Sequence, residues 1–262
     1  MASIIFRVQR FNPVRDATPH IEEYEVPLSK GMTVLDGLLY VKENLDGSLA
    51  LRYSCRMSIC GSCGMLINEV PRLACHTQVV DLETDIIEVR PLPNLPNVKD
   101  LVTDFDSFFE KHKLAMPYII RRDVEELENP IREYVQTPDE VFKTYFQFTS
   151  CIKCGLCWSA CPVSSTDKEY LGPQALTEVF RFLIDSRDDE IAKRMNTVDS
   201  PHGCWSCHFA ASCSHVCPKG VDPALAIQLL KRMVLSHRLG LKKTKEVTSI
   251  APPLKGVVEK RA

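Results

Sequence analysis

Twelve of the 262 residues are cysteines, and they fall in three tight groups: Cys55, Cys60, Cys63, Cys75; then Cys151, Cys154, Cys157, Cys161; then Cys204, Cys207, Cys213, Cys217. In a chain this long with no export signal, such clustering points to metal rather than to disulfides. The first group reads C-x4-C-x2-C with a distant fourth cysteine, the plant-type [2Fe–2S] spacing. Its thiolates must converge on one small cluster, so the loop has to fold tightly. Gly61 and Gly64 are expected to permit that, with backbone N–H groups turned toward the sulfurs. Structural zinc usually pairs two CxxC knuckles; here a single CxxC follows an x4 spacing that suits no knuckle.

The second group, Cys151-x2-Cys154-x2-Cys157-x3-Cys161-Pro162, is the bacterial ferredoxin run, whose fourth cysteine ligates the other cluster of a pair. Cys217-Pro218 supplies the reciprocal ligand. Cys151, Cys154, Cys157 and Cys217 are therefore expected to hold a [4Fe–4S] cluster. At the other centre the middle position of the motif, three residues after Cys207, is Ala210 rather than cysteine. Cys161, Cys207 and Cys213 remain, which predicts a [3Fe–4S] cluster with one vacant corner. Cys204 is a second CxxC partner for Cys207, but lies on the wrong side of the wrapping loop and reads as a buried free thiol.

No dinucleotide fingerprint, Walker loop, HExxH or GxSxG occurs, and no His–carboxylate cluster suggests acid–base work. Three one-electron centres without a substrate or nucleotide site make a conductor between chemistries done elsewhere. Composition agrees with a folded chain, 45% apolar and 25% charged, and excludes disordered or low-complexity classes. No run approaches the roughly 20 apolar residues that cross a bilayer. The N-terminus alternates apolar and polar residues and lacks a signal peptide's apolar core, so the chain is expected to stay on the side where it was made. The net charge of −2 hides an asymmetry: from Pro218 onward ten Lys/Arg face three acidic residues, +7 against −9 before it. A basic end suits anionic headgroups or an acidic partner, or is a solvated tail; nothing interleaves aromatics as a nucleic-acid surface does.

The elements that must position these groups divide near residue 98. Over 1–98, alternation at Ile4, Phe6 and Val8 and at Ile21–Val26 predicts strands, and Thr33 with Asp36 forms a capping box. Val34, Leu38, Val41 and Leu45 trace one face of a helix. Short strands are expected at Met65–Ile67, Leu73–Cys75 and Ile86–Arg90. The prolines of Pro91–Pro96 break the pattern. Over 99–262, helices are expected at Leu101–Lys113, Asp139–Phe148, Pro173–Ser186, Asp189–Met195 and Pro223–His237. The fold class is thus α+β.

At this point the chain closely resembles the iron–sulfur subunit of succinate dehydrogenases and quinol:fumarate reductases (respiratory complex II) over nearly its whole length. The carrying segments are SCRMSICGSCGMLINEVPRLAC, CIKCGLCWSACP and WSCHFAASCSHVCPKGVDPALAIQ. The resemblance implies a β-grasp plant-type ferredoxin domain followed by a mainly α-helical bacterial ferredoxin-like domain. It implies an oxidoreductase of the tricarboxylic acid cycle type, in which this subunit joins an FAD-containing flavoprotein to a membrane anchor that binds quinone. The chain would be peripheral on the cytoplasmic face of the membrane, or the matrix face in a mitochondrion. It further implies a quinone near the three-iron centre, with His208 and Pro162 lining its pocket and Gln228 and Lys231 as polar neighbours. There a cation or donor would stabilise a reduced quinone oxygen. A surface lysine and a histidine packed against the anchor are the plain alternatives. Many succinate:ubiquinone members carry tryptophan shortly after this Cys-Pro. Here Val163–Tyr170 has none, which looks more like the fumarate-reductase branch. The reading set against all this is a soluble ferredoxin-like electron-transfer module of another reductase.

Overall fold

The computed structural model describes residues 2–122, 139, 141–142 and 145–241. They divide into two compact units, Met1–Phe108 with Ile152–Ala160, and Phe109–Cys151 with Cys161–Ala262.

The first unit is built on a five-stranded mixed sheet of order β2-β1-β5-β3-β4, formed by β1 (Ser3–Arg10), β2 (His20–Pro27), β3 (Gly64–Ile67), β4 (Val70–Leu73) and β5 (Ile86–Arg90). β1 runs antiparallel to β2 and parallel to β5. Phe6 and Val8 are fully buried, as the alternation of β1 requires. Helix α1 (Val34–Tyr40) covers this face. The Thr33 hydroxyl accepts from Asp36 N, and Asp36 accepts from Thr33 N at 2.9 Å, the reciprocal cap the sequence predicts. A Cβ at Gly37 would meet the Phe6 ring at 2.2 Å, so glycine there lets the helix sit directly on β1. This parallel and antiparallel mix with one covering helix is the β-grasp arrangement expected.

Several elements differ from expectation. The strand expected at Leu73–Cys75 is β4, Val70–Leu73, because Asn68 and Glu69 both adopt positive φ (45° and 63°) and turn the hairpin earlier. After Tyr40 the helix widens into a π turn over Val41–Leu45, which rotates Leu45 out to 49% exposure while Val34, Leu38 and Val41 stay buried. Instead of a helix from Leu101, a small hairpin of β6 (Asn97–Lys99) and β7 (Val102–Thr103) precedes α2 (Asp106–Leu114). The unit accordingly extends past residue 98, to Phe108. It also takes in α4 (Leu156–Ser159): the Trp158 indole donates to Asn94 O at 3.2 Å, Asn94 donates to Ser159 O at 3.0 Å, and Phe108 meets Trp158 edge-on.

Asp100, 1% exposed and left-handed (φ 45°), ties the unit together. Its carboxylate accepts from Arg10 Nε (3.1 Å), Phe11 N (2.9 Å) and Ala50 N (2.8 Å), anchoring the end of β1 to the segment that leads into the first cysteine loop. An Asp100→Asn variant replaces one acceptor oxygen by a donor and strands a buried N–H. The expected cost is about 1–3 kcal/mol, visible as a lower melting temperature; an unchanged melt would contradict this hub.

The second unit is helical, with α3 (Phe146–Thr149), α5 (Pro162–Thr166), α6 (Gly172–Leu183), α7 (Ile191–Val198), α8 (Ser212–His215) and α9 (Pro223–Arg238). The expected helices at 173–186, 189–195 and 223–237 correspond to α6, α7 and α9. Of the one expected at 139–148, residues 140, 143 and 144 lie outside the described residues; Asp139, Val141 and Phe142 are helical, and α3 follows a turn at Tyr145. α6 and α9 pack together, and Phe148 meets Phe180 edge-on at 5.1 Å. Most of the basic terminal run (Lys242, Lys243, Lys245, Lys255, Lys260 and Arg261) lies outside the described residues. Among the described residues, no helix is long and apolar enough to cross a membrane.

Candidate metal centres

The first cysteine group is wrapped by the loop between α1 and β3. Arg56 and Ser58 take left-handed conformations (φ 55° and 59°), which turn successive amides inward. Cys55 Sγ accepts from the N–H groups of Met57 (3.4 Å), Ile59 (3.3 Å) and Cys60 (3.3 Å). Cys75 Sγ accepts from Ser58 N at 3.3 Å and Cys63 Sγ from Cys75 N at 3.5 Å. Such amide donation stabilises thiolate and cluster sulfur alike. Bonds from the Ser62 hydroxyl and from the Cys55 and Ser62 amides pull the exposed Cys60 thiol down to about 6, so it ionises readily, as a metal ligand must. Burial pushes Cys63 up to about 12, a cost that a bound metal would offset. The residues present therefore fit a cluster.

Gly61 serves the loop as expected, left-handed just before the Ser62 amide that bonds Cys60, but Gly64 plays a different part. Gly64 starts β3 and lies against Leu156 and Leu92. Gly61 has φ 74°, and a Cβ there would meet Cys154 Cβ at 2.8 Å. Gly61 thus also allows close packing against the 152–154 backbone, and the inward amides come from Cys55, Met57 to Cys60, Ser62 and Cys75. Nothing in the residue types at 56 and 58 announces a left-handed turn, which is why sequence reasoning assigned it to glycine.

The expected three-iron ligands come together. Cys161, Cys207 and Cys213 line one pocket, together with Pro162, His208 and Ala210. Cys161 caps the start of α5, Cys213 lies in α8, and Cys207 follows a 3₁₀ turn, Cys204–Ser206. Phe209 and Ala211 are left-handed (φ 60° and 59°), which curls the 207–213 backbone around the pocket. Burial, with Cys161 and Cys207 nearby, pushes the Cys213 thiol up to about 12. Cys204 is fully buried and does not line this pocket; burial raises its thiol to about 11. Tyr170 and Phe209 also line the pocket, and spacing alone gave no sign of them.

Of the four-iron set, Cys154 and Cys157 belong to the first unit and Cys151 and Cys217 to the second. Cys217 Sγ accepts from Val221 N at 3.4 Å, and Gly155 (φ 77°) caps α4 between Cys154 and Cys157. Among the described residues no three His, Cys, Asp or Glu side chains lie as close as ligands of a single ion would.

The four residues expected near quinone separate. Pro162 and His208 line the three-cysteine pocket. Lys231 and Gln228 lie outside that lining, on α9. The Lys231 ammonium donates to Cys207 O at 2.7 Å, so its charge is held against the cysteine loop. Gln228 Nε2 is buried without a partner among the described residues.

Comparison with known proteins places this geometry. Residues 5–110 match the family described as a 2Fe-2S iron-sulfur cluster binding domain, and residues 147–221 match a 4Fe-4S dicluster domain. The chain is 44% identical over 239 residues to the fumarate reductase iron-sulfur subunit of Mycobacterium tuberculosis, covering 91% of this chain and 96% of that one. It is 36% identical over 234 residues to the succinate dehydrogenase iron-sulfur subunit of Paracoccus denitrificans, covering 88% of each. Among solved structures, a chain of the Mycobacterium smegmatis Sdh1 complex in the apo form is similar with a TM-score of 0.80 at 25% identity, covering 90% of this chain and 97% of that one.

Proposed function

Because the chain belongs to the family of iron–sulfur subunits of fumarate reductase and succinate dehydrogenase, we infer that it is the electron-transfer subunit of a membrane-bound succinate:quinone or quinol:fumarate oxidoreductase. Its partners are a flavoprotein carrying FAD and a membrane anchor, and it sits peripherally on the cytoplasmic or matrix face. Cys55, Cys60, Cys63 and Cys75 hold a [2Fe–2S] cluster; Cys151, Cys154, Cys157 and Cys217 a [4Fe–4S] cluster; Cys161, Cys207 and Cys213 a [3Fe–4S] cluster. Bound there, the clusters relay single electrons between the two-electron chemistries of flavin and quinone.

The observation that carries this reading is the convergence of Cys161, Cys207 and Cys213 on one pocket that Pro162 and His208 also line. There His208, exposed at the rim, is placed to hydrogen-bond a quinone oxygen. Lys231, fixed to Cys207 O, sets a positive charge behind the loop and favours added negative charge on the far side. Gln228 brings an unused donor to the same helix. The higher identity to the fumarate reductase relative, 44% against 36%, supports the closeness to that branch suggested by the missing tryptophan.

Electron paramagnetic resonance of natively purified protein, air-oxidised and then dithionite-reduced, tests the assignment. A three-iron signal is expected on oxidation, with two-iron and four-iron signals on reduction. Two four-iron centres would overturn the three-ligand set and bring in Cys204. Purification of the chain alone and active from the cytosol, without a flavoprotein, would favour the soluble module instead.

A further inference from the structure

His202 lies in the turn between α7 and the 3₁₀ turn that precedes Cys207. Its Nδ1 is 2.9 Å from Asp167 Oδ2 and its Nε2 is 3.0 Å from Glu169 Oε2. Nδ1 is hydrogen-bonded to Asp167, and the Glu169 carboxylate stands beside Nε2 as an ionic contact that only the protonated ring makes, so the imidazolium is the form both carboxylates favour. The acceptors are themselves built in. Asp167 caps the C-terminal end of α5, and its other oxygen accepts from Glu169 N (2.9 Å) and Tyr170 N (3.1 Å). The backbones are joined beside the ring, where Leu171 N donates to His202 O at 2.9 Å. The charged groups facing the ring are Asp167, Glu169 and, opposing them, Lys111, whose ammonium donates to Lys168 O.

What the contact connects gives it a role. Cys161, Pro162, Val163 and Tyr170 form one wall of the three-cysteine pocket, and Cys207 to Cys213 form the other. His202 and its carboxylates link the segment behind the first wall to the segment that leads into the second. We propose that His202, as the imidazolium, is a positioning residue that clasps the two walls of this pocket, and that the walls loosen when it loses its proton. The proposal rests on reading the pocket as the quinone-side iron–sulfur centre. The Asp167 carboxylate beside the ring raises the basicity of His202. The clasp is therefore complete below histidine's ordinary value of about 6.5 and is lost as pH rises through the higher folded value.

Quinone KM and kcat are measured on the intact complex from about pH 5.5 to about pH 9.5, bracketing the histidine range. The same series is run on His202→Gln and Glu169→Gln. In the wild type KM rises about two- to fivefold across the transition, the range open to a pair of exposed ionic contacts, while kcat stays level. His202→Gln holds the high KM at every pH. Glu169→Gln moves the transition to lower pH, since one of the two attracting charges is gone. A His202→Gln profile that follows the wild type, or a flat wild-type profile, overturns the proposal.

Hydrogen exchange of the peptide containing Leu171, in the full chain, reads the clasp without reference to quinone. Wild-type protection should exceed that of His202→Gln at low pH and converge with it at high pH; equal protection throughout also overturns the clasp. Convergent exchange in a protein that lacks the three-iron resonance would instead defeat the functional reading while leaving the clasp in place.

Discussion

An Ala210→Cys variant is expected to lose the three-iron resonance of the oxidised protein and to gain a four-iron signal on reduction, with one more iron per chain. Ala210 lies midway between Cys207 and Cys213 and lines the pocket they share with Cys161. A thiol there completes the three-plus-one ligand pattern of a four-iron cluster. The position is exposed and flanked by the left-handed Phe209 and Ala211, so the larger side chain meets no packed core. Cluster type is among the strongest determinants of potential, and each ~59 mV of lowering shifts a one-electron equilibrium tenfold. Quinone-coupled turnover should therefore fall by at least about tenfold, while succinate oxidation with an artificial acceptor at the flavin is kept. An unchanged three-iron spectrum would show that Cys161, Cys207 and Cys213 are not the ligands.

The largest stability effect is expected at Arg194. Its side chain is fully buried, and its guanidinium donates to Ala115 O, Met116 O and Tyr118 O, each at 2.7 Å, and to both oxygens of Asp188. Three carbonyls of the short segment that follows α2 are thereby bound to α7. Asp188 is itself 2% exposed and also accepts from Ile120 N at 3.0 Å. Arg194→Ala leaves a buried carboxylate without its cation and the Ala115 and Tyr118 carbonyls without these donors, while Met116 O keeps its bond from Tyr118 N. Removal of one partner of a buried pair costs about 3–5 kcal/mol, a large part of a domain's net stability of about 5–15 kcal/mol. Chemical denaturation should show the second unit unfolding early, and Arg194→Lys should recover little, because an ammonium cannot span the fork. A variant within about 1 kcal/mol of wild type, the ordinary effect of a point substitution, would mean that these bonds carry no net stability.

Most of the candidate centres were legible because their information is local. Cysteine spacing states how many thiolates one short loop can bring to a cluster, and Thr33 with Asp36 states where α1 begins. Reading weakened wherever backbone conformation was not written in residue type. The hairpin at Asn68-Glu69 and the turns at Arg56 and Ser58 are left-handed without glycine, so the strand at 73–75 and the role given to Gly64 were misplaced. Leu45 was misplaced because a π turn breaks the 3.6-residue period. The Asp100 hub joins residues 50 and 89 positions apart, and no periodicity reports such contacts. Lys231 was recognised as polar and near the pocket, but its tie to Cys207 O depends on how α9 meets the loop.

The ring of amides around the first cysteine loop has a consequence for how this protein can change over generations. Apart from the Ser62 hydroxyl, the donors that face the sulfurs are main-chain N–H groups, those of residues 57 to 60 among them, and every amino acid except proline supplies one. The side chains of Met57 and Ile59, 69% and 56% exposed, point to the surface from the same backbone. Electronic character and surface identity are thus written on opposite sides of one short strip of chain. Substitutions that refit the outer side to a diverging neighbour can accumulate there without retuning the centre beneath. Only a proline, or a residue that cannot hold the turn, would alter both at once.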